Sequence, residues 1–276
     1  MIPWPKSRCV TLNWSEIMKI TFIGAGEAFD PESINISMML ESNAKILLDC
    51  GYNVPQKLWQ MFPDSEYLDG VFVSHFHSDH VAGLPMLIMK MRQDKRKKAL
   101  TIIGPKGFED DFRKLYELNY KGFLGITGFP MNFIEAKGGD TMELEGVKLS
   151  FADASHLENT PYFVPTLALR ADSGGKSMCY SSDTVYTTRI VELAKNCDML
   201  VHDSYMPADS DYHKSMPAHG SPKVAGRVAK EANARRLALF NIHRSFNNNK
   251  SVMLNEATNE FGGEILMPSE GESFIL

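Results

Sequence analysis

The chain has 276 residues, 43% of them hydrophobic, and a formal net charge of −5. That length supports one large core, and the negative balance argues against a surface that grips nucleic acid everywhere. Its cysteines, Cys9, Cys50, Cys179 and Cys197, are scattered without a CxxC spacing, which excludes a disulfide framework and a zinc knuckle and suits a reducing compartment. No apolar run reaches the length needed to cross a bilayer. The opening MIPWPKSRCVTLNWSEI lacks the apolar stretch of a signal peptide, so the sequence reads as soluble and cytoplasmic.

The first clean strand signal starts at Met18. Residues 1–17 are therefore expected to be a peripheral arm or an upstream translation start, and 18–276 the folded domain. Strands are expected at KITFIG (19–24), INISMMLE (34–41), AKILLDC (44–50) and GVFVSH (70–75), with helices at 54–62 and 81–93. Strand LTIIG (100–104), helix 108–120 and strand MNFIEA (131–136) follow, and KGGD then turns the chain toward an apolar segment at 142–154. TLALRA and KSMCYSS read as two strands joined by the hairpin turn DSGG. Helix 187–196, strand DMLVHD, helix 222–233, strand RRLALFN, helix 250–261 and a closing strand EILMP complete the pattern. Short apolar strands alternating with helices in both halves predict a layered α/β sandwich.

The segment 73–84, VSHFHSDHVAGL, concentrates His75, His77, Asp79 and His80 in six residues of a chain with eight histidines. In extended or loop-like backbone alternate side chains point the same way, so His75 and His77 can converge on one ion. Asp79 and His80 follow where strand gives way to helix and can face a second. Imidazole and carboxylate suit zinc, with iron or manganese as alternatives. Further ligands must come from elsewhere. His156 follows LSFADAS, Asp183 follows MCYSS and His243 follows LALFNI, each just past an apolar strand. A lone histidine in such a place reads as packing; three candidates in this order read as ligands.

HFHSDH, then His156, then SDT at 182–184 and IH at 242–243 resemble the metallo-β-lactamase superfamily, over most of the chain from residue 18 onward. The resemblance implies a four-layer αββα sandwich. It implies one metal site of His75, His77 and His156, a second of Asp79, His80 and His243, and Asp183 bridging two divalent ions together with a hydroxide, which serves as nucleophile. The chemistry stands on its own terms: paired ions activate water at neutral pH and stabilise both attacking and leaving oxygens.

LVHDSY at 200–205 and PAHGSP at 217–222 resemble paired motifs of the ribonuclease Z branch, which includes nucleases and small phosphodiesterases. By that resemblance Asp203 supports His219 as proton donor. The proposal is physically sound, because phosphodiester cleavage expels an alkoxide and a carboxylate-held histidine can protonate it. Ser221-Pro222 supply an N-cap and first-turn signal beside His219. Two departures count against maturation of transfer RNA. Only 26 residues separate His156 from Asp183, with no room for the long RNA-gripping arm of that branch. Asp203 also stands where glutamate is usual, and Gly-Ser follows His219 where Ser-Thr is usual.

The expected activity is thus a dinuclear phosphodiesterase acting on small cyclic nucleotides, nucleotide esters or RNA ends. A carboxylic ester, thioester, lactone or sulfate ester hydrolase and a non-catalytic metal-stabilised binding protein are the competing readings. RNA is a candidate partner, a membrane is not, and the resemblance implies a homodimer. KMRQDKRKK at 90–98 places six basic residues near a helix end and reads as a solvated, dipole-complementing face. GAGEAF at 24–29 lacks the third glycine of a dinucleotide loop and reads as a loop near the metal cleft. GPKG at 104–107 reads as a strand-to-helix turn, His202 as a packed histidine and His213 as an exposed one.

Overall fold

A computed structural model describes residues 17–215 and 218–276. The expected N-terminal arm lies outside the described residues apart from Ile17, whose carbonyl accepts from Ser42 Oγ at 3.0 Å. The first sheet gathers β1 (Lys19–Gly24), β2 (Ser37–Glu41), β3 (Lys45–Leu48), β4 (Gly70–Phe72), β5 (Leu100–Pro105) and β6 (Met131–Ala136). The second gathers β7 (Thr141–Leu144), β8 (Val147–Asp153), β9 (Leu167–Ser173), β10 (Lys176–Tyr180), β11 (Met199–Asp203), β12 (Arg236–Phe240) and β13 (Glu264–Leu266). A last strand, β14 (Ser273–Ile275), returns to the first sheet beside β1, so EILMP does not close the fold. The strand orders are β14-β1-β2-β3-β4-β5-β6 and β13-β12-β11-β10-β9-β8-β7. In each sheet, antiparallel pairings on one side give way to parallel ones on the other.

Alternation along the strands explains the layers. In β1 to β3, Ile20, Phe22, Met38, Leu40, Ile46 and Leu48 face the second sheet, where they meet Leu149, Phe151, Leu169, Met178, Tyr180 and Val201. Their neighbours Ile23, Met39 and Leu47 face outward and pack under α1 (Val54–Met61), α3 (Leu84–Gln93) and α4 (Phe108–Asn119). The second sheet buries its outer face under α5 (Thr188–Leu193), α7 (Pro222–Glu231) and α8 (Lys250–Thr258). Both faces of each sheet are covered, which is why the strands read as continuous apolar runs. The result is the expected four-layer αββα sandwich. No helix among the described residues is long and apolar enough to cross a membrane.

Three local readings are corrected. The helix expected over 81–93 begins at Leu84 as α3, and a separate short helix, α2 (Ser78–Val81), precedes it with Ala82 and Gly83 between them. Gly83 lies so close to the preceding loop that a Cβ there would sit 2.1 Å from the Gly51 carbonyl oxygen, so only glycine lets this turn approach. The apolar stretch 142–154 is a hairpin, with Leu144 opposite Val147 and positive φ at Glu145 and Gly146. That matches the two-residue turn with both central residues left-handed, the geometry that Gly174 and Gly175 also adopt between β9 and β10. A short helix, α6 (Asp211–Ser215), lies in a loop where no helix was expected.

Candidate metal centre

The candidate residues cluster where strands end. Asp49 follows β3, His75 lies three residues beyond β4, His156 three beyond β8, Asp183 three beyond β10, Asp203 ends β11 and Asn241 follows β12. The backbone at these exits is unusual. Asp49, Leu157, Ser182 and Asn241 all have positive φ, between 53° and 59°. Asp and Asn enter this region more readily than other residues, whereas Leu157 and Ser182 are held there by their surroundings.

Three groups of side chains bring ligand atoms within 4.8 Å of one another: His75, His77 and His156; His75, His80 and Asp183; and His156, Asp183 and His219. Asp183 Oδ2 lies 3.8 Å from His75 Nε2 and 3.5 Å from His80 Nε2, between the two histidine sets. Asp79 Oδ2 stands 3.2 Å from His80 Nε2. The residues fit divalent cations on a direct observation: His75 Nε2 and His80 Nε2 are fully buried and make no hydrogen bond. Buried polar atoms are normally partnered, so lone pairs aimed at clustered carboxylates suit ligation.

The opposite ring nitrogens are held. His80 Nδ1 meets Asp49 Oδ2 at 2.8 Å, His75 Nδ1 meets Ser74 Oγ at 3.0 Å, and His156 Nδ1 meets the Ala218 carbonyl at 2.8 Å. Such partners orient a ligating imidazole and fix its tautomer. Asp49 was not singled out in the sequence, where it is one aspartate in LLDCG. It is fully buried and also accepts from Ser74 N–H (2.7 Å), Ser74 Oγ (2.9 Å) and Tyr180 OH (2.7 Å). Through Ser74 it reaches His75 as well, so one carboxylate braces histidines of both groups and ties the first sheet to Tyr180 of the second.

Asp203 and His219 lie side by side. His219 Nδ1 lies 3.0 Å from Asp203 Oδ2, which also accepts from Thr184 N–H and Gly220 N–H at 3.0 and 3.2 Å. Asn241 Nδ2 donates to Asp203 Oδ1 at 3.3 Å and to Asp183 Oδ1 at 3.2 Å, linking the pair to the metal cluster. Ser221 caps α7 by accepting from Val224 N–H, with Pro222 in the first turn. The Tyr205 ring lies against His219, 4.9 Å between centroids and 30° between planes.

Electrostatics follow from burial and neighbours. Burial alone disfavours an imidazolium at His219, but the charges of Asp203 and Asp183 outweigh it and raise the pKa to about 9. Burial likewise opposes a charge on His80, yet Asp79, Asp183 and Asp49 hold its pKa well above the usual value. Burial and the neighbouring His80 push His75 the other way, well below it. The cavity thus surrounds its histidine nitrogens with carboxylate charge, a field that attracts cations.

A cavity of about 790 Å³ opens over this cluster, lined by His77, Asp79, His156, Asp183, His219 and Asn241 with Glu27, Phe29, Tyr52, Tyr205 and Tyr212. The loop GAGEAF does border the metal cleft. His243 does not join the ligand groups: its Nδ1 bonds Ser245 Oγ at 2.7 Å and its ring meets Tyr205 edge-on at 5.3 Å. His202 is fully buried, with Nδ1 on the Asp203 carbonyl at 2.8 Å, as expected of a packed histidine. His213 is half-buried rather than exposed and bonds the Met206 carbonyl at 2.9 Å. The basic run is not uniformly solvated either. Arg96 is 1% exposed and ties the carbonyls of Leu68, Lys98 and Ala99, while Lys98 pairs with Asp69.

Known proteins resemble this chain in sequence and in fold. Ribonuclease Z of Natronomonas pharaonis is 25% identical over 303 aligned positions, which cover 93% of this chain and 97% of the relative. Ribonuclease Z of Halorubrum lacusprofundi is 26% identical, with 92% and 96% covered. Among solved structures, the metallo-β-lactamase fold protein YhfI from Bacillus subtilis superposes with a TM-score of 0.79 at 26% identity, covering 94% of this chain and 100% of that one. The short form of human tRNase Z gives 0.74 at 20% identity, with 93% and 98% covered. The paired sheets, the buried histidine–aspartate cluster and these relatives define a metal-dependent hydrolase of the metallo-β-lactamase superfamily, in its ribonuclease Z-like branch. Within that class, the chain belongs to the family of the anti-Pycsar protein Apyc1, which matches residues 18–218.

Proposed function

We propose that this hydrolase cleaves a phosphodiester at a site for two divalent ions, zinc first among them. His75, His77 and His156 would hold one ion, Asp79 and His80 the other, and Asp183 both. When bound, the ions supply an activated water and polarise the phosphoryl group. The observation that carries the reading is the Asp203–His219 pair, 3.0 Å apart and opening into the same cavity as the cluster. An ester with a good leaving group needs no such donor, whereas an alkoxide leaving from phosphorus does. With its pKa raised to about 9, His219 carries a proton at neutral pH. Asp203 holds Nδ1, so the proton delivered to the leaving oxygen is the one on Nε2. Thr184 N–H and Gly220 N–H fix Asp203 in turn, so the donor is preorganised rather than recruited.

A small substrate, such as a cyclic nucleotide or nucleotide ester, fits better than transfer RNA. A short loop and the β9–β10 hairpin fill the chain between His156 and Asp183. The test is hydrolysis of bis(p-nitrophenyl) phosphate by zinc-loaded protein, with Asp183→Ala and His219→Ala alongside. Turnover that Asp183→Ala abolishes supports the assignment, and His219→Ala should cost more on a diester with an alkoxide leaving group than on this one. No turnover by protein that holds two ions moves it toward carboxylic ester, thioester, lactone or sulfate ester hydrolysis.

A further inference from the structure

Asn241 lies where the metal cluster meets the Asp203–His219 pair. It follows β12, and its backbone is fixed on both sides. Ser204 N–H donates to the Phe240 carbonyl at 3.0 Å, His243 N–H donates to the Tyr205 carbonyl at 2.9 Å, and Ile242 pairs with Gly26 of the loop after β1. Its φ is 57°, in the left-handed region that asparagine and glycine enter most readily. The residue is 2% exposed and borders the cavity.

Two buried carboxylates lie within reach of this one amide. Nδ2 donates to Asp183 Oδ1 at 3.2 Å and to Asp203 Oδ1 at 3.3 Å. An amide nitrogen has two hydrogens, one for each acid. Turned over, the amide would set its oxygen against both carboxylates, so the acids themselves fix its orientation. No other hydrogen bond reaches Oδ1 of either acid among the described residues. With Oδ1 held, each acid presents its other oxygen. Asp183 Oδ2 faces His75, His80 and His219 at 3.8, 3.5 and 3.6 Å, and Asp203 Oδ2 lies 3.0 Å from His219 Nδ1. His219 Nδ1 lies 3.3 Å from Asn241 Nδ2, as two donors converging on one carboxylate. A third carboxylate in place of the amide would add repulsion, and an apolar side chain would leave two buried acceptors without a donor.

We infer that Asn241 is a positioning residue that couples the two halves of the site: its amide aims Asp183 at the ions and Asp203 at the proton donor. The second half of this inference rests on the phosphodiesterase reading, while the first is read without turnover. Loss of the amide should therefore weaken metal binding and proton delivery together.

The experiment uses two variants. Asn241→Gly keeps the left-handed backbone and removes the amide. Asn241→Asp keeps the shape and replaces a donor with an acceptor. Two quantities are read in each. One is zinc affinity, by chelator competition. The other is the ratio of kcat/KM for 3′,5′-cyclic AMP, whose leaving group is an alkoxide, to that for bis(p-nitrophenyl) phosphate at saturating zinc. An unfolded fraction cancels from that ratio, and Asn241→Gly decides where Asn241→Asp does not fold. Partners that orient metal ligands typically govern affinity or activity by 10- to 100-fold, so both quantities should fall about tenfold or more. Asn241→Gly that matches wild type in both overturns the inference and leaves Asn241 a backbone role alone. A fall in one quantity without the other overturns the coupling. Wild type that binds zinc without cleaving the cyclic ester strikes the proton-donor reading itself, and the coupling falls with it.

Discussion

Replacing Asp203 with asparagine removes one charge from a buried group with four hydrogen-bond donors around it. The His219 bond is the one that changes character, from charge-assisted to neutral. Hydrogen bonds to charged groups contribute about 1.5–3 kcal/mol, so kcat/KM for a phosphodiester with an alkoxide leaving group should fall roughly 10- to 150-fold. The p-nitrophenolate leaving group departs readily without a proton, so its diester should lose less. The pH profile supplies an independent readout. His219 is a donor only while protonated, so activity falls as pH rises through about 9. Without the Asp203 charge that pKa drops and the alkaline limb moves toward neutral. Stability follows the same sign. A folded pKa above the ordinary 6.5 contributes stability that is fully present below 6.5 and lost as pH rises through about 9. The gap in urea midpoint between wild type and Asp203→Asn should therefore narrow from pH 6 to pH 10. Equal losses on the two leaving groups, with the alkaline limb unmoved, would refute the proton-donor reasoning.

Two further substitutions probe the ligand set and its support. His243→Ala should leave bound zinc at two ions per chain, measured by elemental analysis after dialysis; a fall toward one ion would bring His243 into the ligand set. Asp49→Asn should lower both stability and metal affinity. Its amide nitrogen would donate where Asp49 Oδ2 now accepts from Tyr180 OH and His80 Nδ1, pushing the His80 proton onto Nε2, the ligand atom. A loss of about 2–3 kcal/mol in urea unfolding is expected, together with weaker zinc binding in a chelator competition. Unchanged values for both would contradict the bracing role.

Much of this site was legible because chemistry repeats in the chain as pattern. HFHSDH packs four donors into six residues, and His156 and Asp183 each sit just past an apolar strand, which is where strand ends deliver side chains to a common edge. Asp203 and His219 were legible as a pair only through resemblance, since 15 residues lie between them and Tyr205, Thr184 and Asn241 set their geometry. Asp49 was not legible. It is a single acidic residue in an apolar context, and its importance arises from burial and from partners far along the chain, such as Tyr180. The split at Gly83 was hidden because apolar periodicity continues across it, while the close approach to Gly51 that causes it is tertiary. The basic run misled in the same way: composition does not reveal that Arg96 turns inward to hold backbone carbonyls.

The central claim is that the buried histidine–aspartate cluster holds two ions that together support phosphodiester cleavage. Its most direct test is a titration of metal-stripped protein with zinc, following bis(p-nitrophenyl) phosphate hydrolysis and bound zinc in the same samples, with Asp183→Ala beside wild type. Activity that rises to a plateau at two ions per chain, with Asp183→Ala inactive and holding fewer than two, is the predicted result. Wild type that binds two ions and cleaves nothing, or Asp183→Ala that holds two ions as firmly as wild type, would contradict it.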